Sequence, residues 1–401
     1  MRLLKLELHK TLTNKKNLIV LAILLVVYIV MGFSTTYYSY GGTENYNTYT
    51  SMVEEHTGTL DEAQGVVSTD AYTEAKNKYG SGEAIDHYKM ADPVLKFNAD
   101  YADFNTAVND YYEGKEAGKQ DIDNLIGIAP LQDKLTELQA SGQENSYEYA
   151  RYEKQLETEK ELGAPTFENV SFWDSLFSNW SGMNVLLLLL FPIAYFIAPI
   201  FTQEVRTGMD NIVLCSKKGR KEIVTSKIIT GVITAVVMSI LFVAGTFIGT
   251  FAATGNMAGA GFSMRCLASF RTAQYAFTIG QFALVSVLWI VFIAIVFSMV
   301  ALLISALMSN QAGAFGVSFI VLLVGMATEI FGSGLKKLLW PIVDFSFNSL
   351  GKLSSIFGGT TTYNLFGQPI SYAMLGVAVA TVMLSAFIIF VYAAQKKRIV
   401  R

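Results

Sequence analysis

From Thr272 to Thr328 the chain carries no Asp, Glu, Lys or Arg. No small soluble core buries a run like that. A helix crossing the hydrocarbon of a bilayer needs about 20 mostly apolar residues, and lipid leaves only helices and closed barrels able to satisfy their own backbone groups. The run is too long for one span and fits two, with the polar Ser309–Gly313 segment "SNQAG" as the turn between them. This puts span four at 277–308 and span five at 313–331. Four further apolar segments of spanning length are Leu18–Tyr38, Met183–Thr202, Ile228–Ala253 and Tyr372–Ala394. The expected fold class is an all-α polytopic membrane protein with six transmembrane helices.

Charge divides the chain into compartments. Between Ser34 and Gly182 there are 27 acids against 10 Lys or Arg, whereas the remainder has 20 Lys or Arg against 6 acids. The basic residues form short juxtamembrane clusters, so anionic lipid headgroups are the expected partners and nucleic acid is not. Residues 1–17, the 203–227 loop and the C-terminal tail hold most of the cations and fall on one face of a six-span chain. Short-loop Lys/Arg bias makes that face, with both termini, cytoplasmic. Arg265, Arg271, Lys336, Lys337 and Lys352 lie on the other side, so the rule holds by majority. Of the two cysteines, Cys215 and Cys266, the topology places one on each side, which predicts free thiols rather than a bridge.

The first domain, residues 1–40, begins with an amphipathic stretch. Leu4, Leu8 and Leu12 recur at helical spacing, and Lys5, Glu7 and Lys10 fall elsewhere around the wheel. This predicts a short interfacial elbow helix before span one. No A-x-A cleavage site follows the apolar run, which reads as a retained anchor. Residues 41–182 are acidic and read as a mainly helical extracellular domain. Leu131, Leu135 and Leu138 share one face there, and Tyr149, Tyr152 and Leu156 another. The "DIDN" segment from Asp121 lacks the spacing of a calcium loop. "SFWDSLFSNW", with Trp173 and Trp180, reads as an interfacial aromatic belt ahead of span two.

Chemistry-bearing motifs are absent from the sequence. It has no G-x-x-x-x-G-K-[ST] and no H-E-x-x-H, and its three histidines are scattered. It therefore reads as no enzyme by itself and as holding no metal or cofactor. The spans are almost free of ionisable groups, so the acids at their ends stand out: Glu204 after span two, and Glu329 near the end of span five. Gly245 and Gly249 form a G-x-x-x-G in span three, suited to close helix contact within the chain or between chains.

The stretch "EVRTGMDNIVLCSKKGRKEIVTSK" resembles the loop after span two of ABC-2-type transporter permeases. Those end span two on an acid-x-x-x-Gly pattern, here Glu204 and Gly208, followed by a Leu, Ser, Arg and Lys series, here Leu214, Ser216, Arg220 and Lys227. The usual proline is replaced by Lys217, and Met209-Asp210-Asn211 stand where T-L-E is familiar. The resemblance implies a coupling loop, 203–227, docking on a separate cytoplasmic ATPase that binds ATP and magnesium. The carried-over coupling residues are Glu204, Arg206, Gly208, Lys217, Lys218, Arg220 and Lys221. It also implies a homodimer, or a heterodimer with a related permease, and re-entrant helices in the outer region 332–371; Glu329 at the outer end of span five, with Trp340 and Pro341 in that region, are the outer gate candidates. The third domain is thus 183–401. The implied function is export of an amphiphile (peptide, antibiotic or lipid-like) across the plasma membrane. Low Cys, His and Pro usage with many Lys and Tyr points to a Gram-positive bacterium. A ligand sensor would need a cytoplasmic output domain, and a secondary transporter ionisable groups at the midplane; the sequence has neither.

Overall fold

The computed structural model describes residues 2–55, seven positions between 93 and 104, 127–163, 165–209, 219–331 and 342–397. It is mostly helical. Among the described residues five helices are long and apolar enough to cross a membrane: Lys15–Tyr40, Val185–Thr207, Lys221–Thr254, Ile279–Leu307 and Tyr372–Lys396. A further helix, Gln311–Phe331, stands at the position expected for span five, and its stretch Gln311–Val324 is apolar but shorter than a full span. In chain order the helices are α1 (Arg2–Leu8), α2 (Lys15–Tyr40), α3 (Thr43–Glu55), α4 (Ile128–Ala140), α5 (Tyr147–Leu162), α6 (Ser171–Asn179), α7 (Phe191–Ile197), α8 (Pro199–Thr207), α9 (Gly219–Thr254), α10 (Ile279–Leu307), α11 (Gln311–Phe331), α12 (Phe347–Leu350), α13 (Leu353–Phe357) and α14 (Tyr372–Lys397).

The spans fall into inner and outer sets. In the most apolar window, 72% of span two and 61% of span four are buried, against 11% of span one and 17% of span six. The last two therefore offer their apolar faces to the surroundings. Span four starts where its sequence says it should: Thr278 caps it, and Gln281 completes the reciprocal capping box. Its Phe282, Ile293, Ala294, Phe297 and Met299 then join one core with Leu186, Leu189, Ile193 and Phe196 of span two and Ala235, Met238 and Phe242 of span three. Span one lies along span three through glycines. A Cβ at Gly249 would stand 2.0 Å from the Ile29 carbonyl oxygen, and one at Gly245 would stand 2.6 Å from the Tyr28 Cβ. The G-x-x-x-G thus serves packing within the chain.

Four expectations change. The class is not purely helical: β1 (Thr362–Leu365) and β2 (Gln368–Ser371) pair antiparallel, with Thr362 opposite Ser371, in the outer region otherwise occupied by α12 and α13. Val, Ile, Leu and aromatic alternation is too short there to have signalled a hairpin. Trp173 and Trp180 are not an interfacial belt. Both are buried, because each indole N–H finds an internal acceptor: Trp173 donates to the Ala258 carbonyl at 3.0 Å and Trp180 to the Thr246 hydroxyl at 2.8 Å. Span three starts earlier than Ile228, since α9 begins at Gly219. The 203–227 segment is consequently shorter as a loop, its two ends being helical. Lastly, Leu12 is buried in the core with Leu8 packed against it, and Leu3 and Leu6 are the exposed leucines of the first turns. The predicted leucine ridge faces protein rather than lipid.

Outside the bundle, Leu131 and Leu135 of α4 meet Tyr152 and Leu156 of α5 in a small separate core, with Leu138 and Tyr149 at its edge. Arg265 fastens this helix pair to the connector between spans three and four. Its guanidinium lies 2.9 Å from the Glu159 carboxylate and also donates to the carbonyls of Gly163 and Arg271. An arginine on the acidic side of the chain is accounted for by this buried pairing with Glu159 and the two carbonyls. Cys266 is a free, buried thiol; Cys215 lies outside the described residues. The Asp121–Asn124 segment also lies outside them.

Candidate functional site

Span two is not one continuous α-helix. Residues Val185–Leu190 wind as a π-helix, and the Tyr28 hydroxyl donates to the Leu188 carbonyl inside that segment at 2.6 Å. Lower down, Pro199 opens a new helical piece, because its ring blocks the preceding turn's hydrogen bond. Span four repairs the break. The Ser305 hydroxyl donates to the Ala198 carbonyl at 2.8 Å and accepts from the Phe201 amide at 3.1 Å. Ser/Thr hydroxyls are the usual means of satisfying freed backbone groups within apolar surroundings. Ser305→Ala leaves the buried Phe201 N–H unpaired and is expected to cost about 1–3 kcal/mol, read as a lowered midpoint in thermal unfolding of the detergent-solubilised protein.

Below this repaired joint, α8 carries Glu204 and stops at Gly208, whose φ of 70° is the left-handed conformation that ends helices at glycine. Glu204 meets two cations from two other elements. Its carboxylate lies 2.9 Å from the Lys227 ammonium and 3.6 Å from that of Lys10. Glu7 closes the circuit, 3.2 Å from Lys10 and 3.8 Å from Lys227. Two acids and two cations therefore alternate in a ring built from α1, the π-helical turn His9–Thr13, α8 and α9. Each ion has an opposite charge on both sides.

Lys227 is the most deeply buried member, with 0% of its side chain exposed. It also donates to the Ile200 carbonyl, and its ammonium sits 4.6 Å from the centre of the Phe201 ring. Such a charge is tolerated away from water only when paired and hydrogen-bonded. Lys10 is half exposed at the rim. Burial alone would lower its pKa, but the Glu7 and Glu204 carboxylates outweigh burial and hold the ammonium above its ordinary value. A small cleft of about 90 Å³ beside the ring is lined by Glu7, Lys10, Thr11, Gln203, Glu204 and Met209 among others. Among the described residues no group of His, Cys, Asp and Glu is placed to hold a metal ion.

The structure brings together only part of the expected constellation. Glu204 is in the ring and Gly208 terminates its helix. Arg206 and Lys221 are exposed on the helices flanking the loop. Arg220 lies in the first turn of α9, while Lys217 and Lys218 lie outside the described residues. Leu4 is half-buried on α1. Glu329 belongs to helix α11, and Trp340 and Pro341 lie outside the described residues. The sequence puts Lys227 at the end of the 203–227 loop, and Glu7 and Lys10 around the helical wheel from the leucines. Lys227 stands among Arg220, Lys221 and Glu222 at the foot of the apolar run that opens at Ile228, so nothing local set it apart from the other loop cations. Nothing local marked Glu7 or Lys10. Mechanically, the ring joins the N-terminal helix and both helices that border the basic loop, so displacement of the loop must move all three or break ion pairs.

No curated protein matches the chain. The family described as ABC-2 family transporter protein matches residues 16–394, which includes Glu204 and Lys227 and leaves out Glu7 and Lys10.

Proposed function

Since the chain belongs to the ABC-2 family of transporter proteins, we propose that it is the permease of an exporter driven by a separate cytoplasmic ATPase subunit. It is a membrane transport component. In this reading ATP and magnesium are bound by the partner, and nucleotide-driven closure of the ATPase pushes on the basic loop between spans two and three. The bundle has two packed arrangements, and the ATPase biases their populations through that loop. The observation that carries the reading is the four-charge ring. It ties α1, α8 and α9 together at the root of the loop, where a docked motor would have leverage on both spans.

The remaining features follow the same reading. Helix α11 completes six spans, both termini are cytoplasmic, and α1 with its π-turn is the elbow helix at the inner interface. Residues 41–182 form the extracellular domain and 332–371 the outer region, with Glu329 at the end of span five, Trp340 and Pro341 as gate residues. The permease works as a homodimer or beside a related permease in the plasma membrane of a Gram-positive bacterium. Its cargo is an amphiphile: a peptide, an antibiotic or a lipid-like molecule. In support, Leu187 and Tyr195 of span two and Ile320 of span five are exposed apolar side chains, and Phe191 packs edgewise on Phe315 and Phe319 across the same two spans. Facing surfaces of this kind suit an apolar path or a second permease.

Docking is tested by co-purification. The chain carrying Arg206→Glu, Lys217→Glu and Arg220→Glu together is expected to reach the membrane at the wild-type level and lose at least about 90% of the co-expressed ATPase, a tenfold affinity loss or more. Undiminished recovery of the ATPase rejects this loop as the docking element.

A further inference from the structure

At the end of the bundle away from the charge ring, a cavity of about 320 Å³ lies between the top of α2, helices α3 and α6, a helical stretch containing Lys96 and Asp100, and the connector before span four. We propose that this cavity binds a small zwitterion, a molecule of dipeptide size bearing both an ammonium and a carboxylate. The proposal is independent of how the permease is powered.

The charges that line the cavity divide into a matched and an unmatched set. Asp100 is already occupied: it pairs with Lys96 at 3.1 Å and accepts from the Tyr49 hydroxyl at 2.8 Å. Lys96 in turn sits over the Tyr40 and Tyr49 rings, 5.0 and 5.4 Å from their centres. These four groups make a satisfied wall. The other charges are not matched. Asp174 faces the cavity with one carboxylate oxygen accepting from the Ala268 amide at 3.1 Å, and no cation lies within ion-pair distance among the described residues. Glu168, also lining the cavity, is hydrogen-bonded to the Thr166 side chain and has no ion pair among those residues. Opposing these acids is Arg271. Its guanidinium stands 5.5 Å from the Phe104 ring centre, and its Nε is buried without a hydrogen-bond partner among the described residues.

A buried donor left unpaired is costly, and a half-buried carboxylate without a counter-ion adds to that cost. One ligand relieves both when it carries opposite charges at its two ends. Its ammonium would meet Asp174, with Glu168 reinforcing the negative end, and its carboxylate would meet Arg271. The volume lies at the lower end of the range for small-molecule sites, and Phe167 and the two tyrosines offer apolar wall to a side chain.

Protonation adds a second, separable signature. Burial pushes the Asp174 carboxyl up to about 7, only partly countered by the Ala268 amide and Arg271. Asp100 and Lys96 act on it in opposite senses. The Tyr49 phenol and Cys266 thiol are pushed up by burial and stay neutral in this range. The ammonium needs Asp174 ionised, so affinity should be lost as pH falls through about 7, and it should also decline above about 8, where the ligand's own α-ammonium deprotonates.

The test is calorimetric titration of the purified full chain with three probes: dialanine, N-acetyl-dialanine and dialanine amide. Dialanine is expected to bind saturably, and each blocked form at least about tenfold more weakly, one ion pair being worth that much or more when desolvated. Asp174→Asn should erase the preference for a free ammonium and Arg271→Gln the preference for a free carboxylate. In the wild type the dialanine affinity should fall about tenfold per pH unit below 7, and in Asp174→Asn it should not. Absence of saturable dialanine binding, or equal binding of all three probes by the wild-type chain, overturns the proposal whatever the variants do.

Discussion

Lys227→Met is expected to destabilise the protein by about 3–5 kcal/mol, the cost of breaking a buried ion pair from one side. The substitution keeps the length and apolar stem of the side chain. It removes the ammonium that lies 2.9 Å from Glu204 and 3.8 Å from Glu7, along with the bond to the Ile200 carbonyl. Only Lys10, half exposed at the rim, then remains to balance two acids. Thermal unfolding of the solubilised chain measures the loss, and a double-mutant cycle separates charge from packing. With Glu204→Gln added, the combined loss should be smaller than the sum of the two single losses, because each single change orphans a partner that the double removes. Strict additivity, or a Lys227→Met midpoint equal to wild type, would show that the ring does not hold these helices. In the coupling reading the same variant should also uncouple ATP hydrolysis from transport, since α8 and α9 would no longer move as one.

The second large effect is steric. Gly249→Leu should separate span one from span three. Even the first carbon of the new side chain would fall 2.0 Å from the Ile29 carbonyl oxygen and 2.7 Å from the Phe33 amide nitrogen. Neither can yield, because both are backbone atoms of the facing helix. Close approach of this kind is what glycine permits between membrane helices, and overfilling such a contact costs about 3 kcal/mol or more. Gly32 answers from the other side: a Cβ there would stand 2.4 Å from the Thr246 carbonyl oxygen. A cysteine pair placed on α2 and α9 beyond the contact should cross-link readily in the wild-type background and poorly with Gly249→Leu. Equal cross-linking would mean that the two helices repack without loss.

Apolar length was the most legible property of the chain. Span four was expected at 277–308 and lies at Ile279–Leu307. The match follows from lipid itself, which requires a continuous apolar helix and leaves the boundary to capping residues that are local in sequence. Glu204 was legible for a related reason, as an acid beside a run that otherwise excludes charge. The G-x-x-x-G showed that something would come close to span three without saying what; span one fills that place. Trp173 and Trp180 misled because an indole before a span suits an interface as well as an interior, and only an internal acceptor tells the two apart.

By itself, then, the sequence determined that this is a helical membrane protein, where its apolar helices run, and that Glu204 and several cations border the second and third of them. Periodicity and hydropathy act over a few turns, so they are written in neighbouring residues. Only the tertiary structure decided that Glu7, Lys10, Glu204 and Lys227 meet. Their pairing spans most of the first half of the chain, and a charge finds its partner by where helices pack rather than by how far apart the residues stand in sequence.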